Sequence, residues 1–189
     1  MKKIVKNMAI IAIVAVTNCM TANAQEKGDI TVGTNMVVWW SPSQTFNYWR
    51  EPSYTNTGIG AKLSYNITDQ LRLAGEFDYF SEKDFKDMWD CRVYSHYLFP
   101  VAVRTVVYPS VGIGMIGGKT TDFYWGTPKS STAAFTIGIG ADYELSYNII
   151  LSGEIRHYAV YFDGRYMNKN NYNVKIFNFA IGLAYKFIL

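Results

Sequence analysis

Two histidines, His96 and His157, are the residues best suited to metal ligation or proton transfer near neutral pH. No HxxxH or HExxH spacing joins them to a second ligand, so the sequence calls for neither a metal nor a cofactor. The other chemically active side chains are charges that recur at alternate positions: Lys62, Arg72, Glu76, Asp78, Asp90, Arg92, Asp142, Glu144, Glu154, Arg156 and Lys186. Their signs are mixed and nearly balanced. Such a set can line an ion path, or it can form a salt-bridge network that fills an interior, since buried charges must be paired.

The stretch Gly58 to Phe80 shows what positions these charges. Leu71, Leu73, Gly75, Phe77 and Tyr79 alternate with Arg72, Ala74, Glu76 and Asp78. A strand sends successive side chains to opposite faces, so one face is apolar and the other charged. Ile59, Ala61, Leu63 and Tyr65 alternate likewise with Gly58, Gly60, Lys62 and Ser64, and Asn66 to Gln70 reads as a short polar turn. The motif echoes later: Gly58-Ile59-Gly60-Ala61 recurs as Gly138-Ile139-Gly140-Ala141, and Gly75-Glu76 as Gly153-Glu154. An up-down hairpin is the repeating unit.

Eight alternating segments are predicted: Asp29 to Trp40, the two arms of that hairpin, Trp89 to Tyr97, Val107 to Ile116, Phe135 to Glu144, Ile149 to Tyr158 and Val174 to Phe187. Connections 41–55, 81–88, 117–132 and 161–173 are longer and polar or aromatic-rich, whereas 67–70 and 146–148 are tight. Long and short connections alternate as in an up-and-down membrane barrel. The apolar stretch Phe99 to Val106 departs from that pattern, and Pro109 removes a ladder donor, so both are placed near the short-turn rim.

The first 24 residues read as a cleaved signal peptide: Lys2, Lys3 and Lys6 precede the apolar run Met8 to Val16, and Ala22-Asn23-Ala24 supplies an A-x-A site. Residues 25–189 then form one exported domain. The chain carries +3 overall, so losing three lysines leaves about zero, which excludes a general nucleic-acid footprint. Cys19 would leave with the signal, and Cys91 alone cannot form an internal disulfide. Aromatics make up 16% of the chain, with 15 Tyr and 15 Gly, while charged residues reach only 17%. A soluble domain carries about 25% charge.

Composition and pleat together decide which face is inside. Eight strands enclose room for little more than side chains. The apolar faces carry bulky Phe, Tyr, Leu and Trp, and glycines and alanines are concentrated on the charged faces, where crowding is greatest. The expected structure is therefore all-β: an eight-stranded antiparallel up-and-down transmembrane β-barrel with a polar lumen. The competing architecture is a soluble, lipocalin-like cup with the faces reversed.

At this point the chain resembles the small eight-stranded outer-membrane barrels of the OmpA/OmpX type, grouped as porin-like β-barrels. The resemblance runs from about residue 28 to the end. It rests on the Gly75-Glu76 hairpin, on Tyr108-Pro109-Ser110-Val111-Gly112-Ile113-Gly114 and on the last strand. It implies the outer membrane of a Gram-negative-type bacterium, outer-membrane lipid as surroundings, and an assembly signal at Gly182, Tyr185 and Phe187. Here Ile188-Leu189 follow the final aromatic, where relatives often end on it. Lipid A-modifying barrels are the enzymatic members to consider. The H-x-S motif of a deacylase would align with His157-Tyr158-Ala159, where alanine replaces the nucleophile, and Ser95-His96 has the reverse order. No enzyme is expected. The lumen is expected to be plugged, with a narrow solute or ion channel as the alternative. The expected unit is a monomer whose loops 41–55, 117–132 and 161–173 contact an external ligand or host surface. Their aromatics (Phe46, Tyr48, Trp49, Tyr54, Phe123, Tyr124, Trp125, Tyr161, Phe162, Tyr166 and Tyr172) otherwise belong to the interfacial girdle.

Overall fold

The computed structural model describes residues 25–42, 44–46, 49–51, 53–80, 85–120, 129–162 and 172–188. Residues 1–24, Tyr48, Phe123, Tyr124, Trp125 and Tyr166 lie outside them. Runs of β-branched and aromatic residues with two-residue periodicity form eleven strands. They are β1 (Ile30–Ser41), β2 (Gln44–Phe46), β3 (Trp49–Glu51), β4 (Tyr54–Asn66), β5 (Leu71–Phe80), β6 (Phe85–Tyr97), β7 (Phe99–Ala102), β8 (Thr105–Thr120), β9 (Lys129–Ser146), β10 (Ile149–Phe162) and β11 (Tyr172–Phe187).

Each long strand pairs antiparallel with its sequence neighbours, and β1 pairs with both β4 and β11. β6 pairs onward with β8, so the sheet closes. β7 continues β6 past Leu98, which makes eight barrel staves from nine of the strands; β2 and β3 form a separate small hairpin within 41–55. The architecture is the expected eight-stranded antiparallel barrel. No described helix is long and apolar enough to cross a membrane.

The strands run further than their apolar alternation suggested. β8 extends to Thr120, β9 begins at Lys129, β10 reaches Phe162 and β11 starts at Tyr172, all inside stretches expected to be loops. Paired ladders continue there beyond the apolar belt because main-chain bonding does not depend on which side chains face lipid. The segment Phe99 to Val106 is likewise not a plain connection. It is a hairpin whose tip is Val103-Arg104. Pro109 falls between the pairs His96↔Ser110 and Phe99↔Val107, where the ladder is already interrupted at Leu98. On its other side Pro109 keeps its register partner Ile139 on β9.

Side-chain burial follows the pleat. On β5 every second residue from Arg72 to Phe80 is buried, and Leu71, Leu73, Phe77 and Tyr79 face outward. Ile59 and Ile113 are 68% exposed, whereas Asp78 and His96 are fully buried. A water-soluble fold would reverse these values. Aromatic residues bound the apolar surface at both ends: Tyr65, Tyr97, Tyr143 and Tyr185 near the tight turns, Trp40, Tyr79 and Trp89 at the other. Trp89 and Tyr97 are eight residues apart on one strand. At about 3.4 Å per residue and a tilt near 40°, this gives an apolar band about 20 Å high, close to the ~25 Å such barrels present to lipid.

The tight turn at 67–70 is locally encoded, and the one at 147–148 is tied to the last strand. In 67–70 the Thr68 hydroxyl accepts hydrogen bonds from the Gln70 and Leu71 amides at 3.2 and 2.9 Å. At 147–148 the Asn148 side chain donates to the Lys186 carbonyl at 2.8 Å and its carbonyl receives the Lys186 amide at 2.7 Å. Val93 lies midway along the apolar band. Val93→Arg is expected to lower folding stability in lipid vesicles by about 2–4 kcal/mol, measured by denaturant titration, because a cation at mid-bilayer has no aqueous partner.

Candidate functional site: the charged lumen

Alternation on β4, β5, β6, β9, β10 and β11 turns all eleven charges of the sequence-derived set inward. Glu76 is the hub. Its Oε1 accepts hydrogen bonds from Arg92 Nη2 at 2.9 Å, Arg156 Nη1 at 3.0 Å and Asn35 Nδ2 at 2.7 Å. Its Oε2 accepts from Arg156 Nη2 at 2.9 Å and from the Tyr94 hydroxyl. The Arg156–Glu76 contact is a two-pronged fork, the strongest geometry for this pair. In the strand order, β5 and β10 lie four strands apart in either direction, so this fork crosses the diameter of the barrel.

Other pairs cross shorter chords. Lys62 on β4 meets Glu154 on β10, and Arg72 Nη1 on β5 donates to Asp142 Oδ2 on β9 at 2.7 Å. Arg92 pairs with Asp78 and, at 2.9 Å, with Asp90, while Lys186 pairs with Glu144. Every one of the eleven charges thus has an opposite partner within the lumen. Buried residues outside that set extend the network, Tyr108, Tyr94 and Asn35 among them. The Tyr108 hydroxyl lies 3.0 Å from the Asp142 carboxylate and 2.7 Å from that of Glu154, with one proton to donate between them, and Tyr94 and Asn35 converge on Glu76. Tyr94 and Asn35 follow from alternation; Tyr108 was hidden by the proline beside it.

Glycines make room for these groups. A Cβ at Gly140 would lie 2.5 Å from the Tyr108 ring and 2.7 Å from Glu154, and one at Gly60 would collide with the Asp78 carboxylate. Small residues therefore stand opposite the largest ones.

Two apolar layers bracket the charges, and pattern reading missed both. At the long-connection end, Val37, Trp39, Phe80, Ile116, Ala134 and Tyr158 form a buried inward-facing cluster. Trp39 lies 4.5 Å from Phe80 and 5.4 Å from Tyr158, centroid to centroid. Tyr158 also donates to Asp90 at 3.1 Å, which joins this layer to the network. At the tight-turn end, Leu98 and Val106 pack with Tyr108. The signal was present as apolar residues at lumen parity, but an apolar side chain in a membrane barrel reads by default as lipid-facing.

Neither histidine sits in a catalytic arrangement. His96 is fully buried, stacked on Tyr108 at 4.2 Å, and its Nε2 is 3.9 Å from Glu154. His157 faces outward, with Nδ1 3.3 Å from the Ile176 carbonyl, against Phe177 at 5.0 Å. Its register neighbours are Ile137 and Phe177, which offer no nucleophile. No group of three or more His, Cys, Asp or Glu placed to hold a metal occurs among the described residues. Cys91 is a free, lipid-facing thiol. In the last strand Gly182 is buried beside β1, where a Cβ would lie 2.7 Å from the Thr34 carbonyl. Tyr185 and Phe187 face outward, edge to face at 4.8 Å.

The family model for the outer membrane protein beta-barrel domain matches residues 9–187. The chain belongs to this family. It is an outer-membrane protein, and the solved structures it resembles include the outer membrane protein OprG from Pseudomonas aeruginosa. The fold superposes on neisserial surface protein A with a TM-score of 0.66 at 14% identity, over 85% of this chain and all of that one. It superposes on the N-terminal barrel domain of Pseudomonas aeruginosa OprF with a TM-score of 0.64 at 13% identity, over 86% of this chain and all of that one. For Ail, the attachment invasion locus protein of Yersinia pestis, the TM-score is 0.57 at 14% identity, over 85% and 99% of the two chains. At such identities the likeness concerns the fold. A comparison with curated protein sequences finds no match.

Glu76→Ala is expected to lower the stability of the folded barrel by about 3–5 kcal/mol, because it removes the acceptor shared by Arg92 and Arg156 and leaves them only Asp78, Asp90 and Glu154. Glu144→Ala, at the rim pair with Lys186, whose ammonium also faces the Tyr147 ring, is expected to cost less, about 1–3 kcal/mol. Urea titrations of vesicle-folded protein, read by tryptophan fluorescence, compare the two.

Proposed function

We propose that this protein is a non-enzymatic outer-membrane barrel with a plugged lumen, which serves the envelope structurally or through its external connections. The observation that carries the reading is the Arg156–Glu76 fork across the full diameter, flanked by the Lys62–Glu154 and Arg72–Asp142 chords. The aromatic layer of Trp39, Phe80 and Tyr158 above it supports the same conclusion. An ion crossing this lumen would have to break charge pairs in a confined interior, at several kcal/mol for each group left unpaired. With the bore filled, contact with anything beyond lipid falls to the surface and to the connections 41–55, 117–132 and 161–173. The partner of those connections is an external ligand or host surface. Gly182, Tyr185 and Phe187 are assigned as the signal for the outer-membrane assembly machinery, supported by the close β1–β11 approach at Gly182 and the outward aromatics. Residues 1–24 are assigned as the export signal, and the barrel as a monomer.

Purified protein in planar bilayers is expected to show no stable stepwise current; such currents would favour a narrow channel instead. Lipid A from expressing cells is expected to keep its mass profile by mass spectrometry. A lost or gained acyl chain would restore the enzymatic reading.

A further inference from the structure

The tight-turn mouth of the barrel is not left to the strands. Residues 25–29 fold beneath it as a compact strap. Gly28 takes a left-handed conformation, φ 93°, that turns the chain back toward the wall. The Gly28 amide donates to the Asn66 carbonyl at 2.9 Å, and the Asn66 amide donates to the Asp29 carbonyl at 3.0 Å. The Lys27 amide donates to the Asp69 carboxylate at 2.8 Å, and Asn66 Nδ2 donates to the Glu26 carbonyl at 3.1 Å. Asp29 caps the bend by accepting the Glu26 amide at 2.9 Å. These contacts fix the strap to the β4–β5 turn. Its tip does something else. The Gln25 side chain enters the lumen, where it is 8% exposed and donates from Nε2 to Asp142 Oδ2 at 2.9 Å, across 117 residues of sequence. Asp142 is the same carboxylate that receives Arg72 and Tyr108. Lys27 and Glu26 stay exposed on the outer side of the strap.

We propose that residues 25–29 are a built-in stopper for the periplasmic mouth, with Gln25 as the key that seats it on Asp142. A neutral amide suits this position. It donates to a carboxylate that is already charge-paired with Arg72, and its side chain adds no further charge to the lumen. A second carboxylate there would face Asp142, and a residue without a side chain would leave the mouth uncovered. The stopper closes the lower chamber independently of the aromatic layer at the far end. This rests on the plugged-lumen reading only in that both describe one bore.

The test reads access from the periplasmic side. Ser64 is 2% exposed, faces the lumen one pleat above Arg72 and has Thr31 as hydrogen-bond partner. Ser64→Cys in a Cys91→Ala background gives a single thiol behind the strap. Its reaction with a small water-soluble methanethiosulfonate is expected to be slow. Adding Gln25→Gly is expected to accelerate it roughly tenfold or more, the factor that loss of one hydrogen bond to a charged group implies. Lys27→Pro, which removes the amide bound to Asp69, is expected to accelerate it as well. Rates unchanged in both variants, with the barrel still folded by its gel mobility, overturn the stopper. Bilayer recordings separate the two conclusions. Gln25→Gly is expected to stay silent, because Glu76, Arg156 and Trp39 are untouched. Currents from the unaltered protein would overturn the plugged lumen and leave the stopper to be judged by labelling.

Discussion

In hydrocarbon an unpaired backbone N–H or C=O costs several kcal/mol, and this constraint sets everything else in the molecule. A sheet can meet it only by having no edge, so β1 must pair with β11 as well as with β4. Closure at eight strands then fixes a narrow bore, and the narrow bore dictates which residues may point inward. Along the ionic layer bulky aliphatic groups go outward, where lipid accepts any shape, and the inward positions are shared between large polar groups and glycine. Gly112 opposite Tyr94, Gly138 against Arg156 and Gly140 against Tyr108 and Glu154 are the visible consequence. The glycine content and the charge network are thus two sides of one packing problem.

The network also settles register. A slip of one residue would turn the ionic face of a strand toward lipid, where an arginine at mid-depth costs several kcal/mol. The Arg156–Glu76 fork ties two opposed strands to one alignment, and Asn35 and Tyr94 bring β1 and β6 into the same hub. A purely apolar interior of equal volume would satisfy packing, but it would not distinguish inside from outside when the surroundings are themselves apolar. In lipid, the polar interior is what gives the pleat a direction.

That direction is why so much was legible before any coordinates. Leu73 and Phe77 against Arg72 and Glu76 state the two faces, and the tight turns around Thr68 and Asn148 state the hairpins. What escaped did so for identifiable reasons. Trp39, Phe80, Ile116 and Tyr158 are apolar at lumen parity, and polarity alone sends such residues to lipid. Val103-Arg104 carries no turn residue of the usual kind, so the β7–β8 hairpin looked like a connection. The strap at 25–29 depends on a contact between Gln25 and Asp142, and no local pattern encodes a partner that far along the chain. Alternation reports the environment of each residue; it does not report which residues meet across the bore.

The division of the lumen into layers bears on what the protein can do. The aromatic layer, the ionic layer and the lower cluster around Leu98 use different interactions, so no single change of conditions weakens all three at once. Salt screens exposed ion pairs far more than buried ones. The central pairs are among the least exposed side chains in the barrel, with Arg92 and Glu76 fully withdrawn from solvent. Opening a path would require moving Trp39 and Tyr158 and also parting Arg156 from Glu76, although Tyr158 is itself hydrogen-bonded to Asp90 within the same network. Those movements are coupled, and each leaves a charge or a hydroxyl without a partner. The strand extensions beyond the apolar band are held in place by this interior.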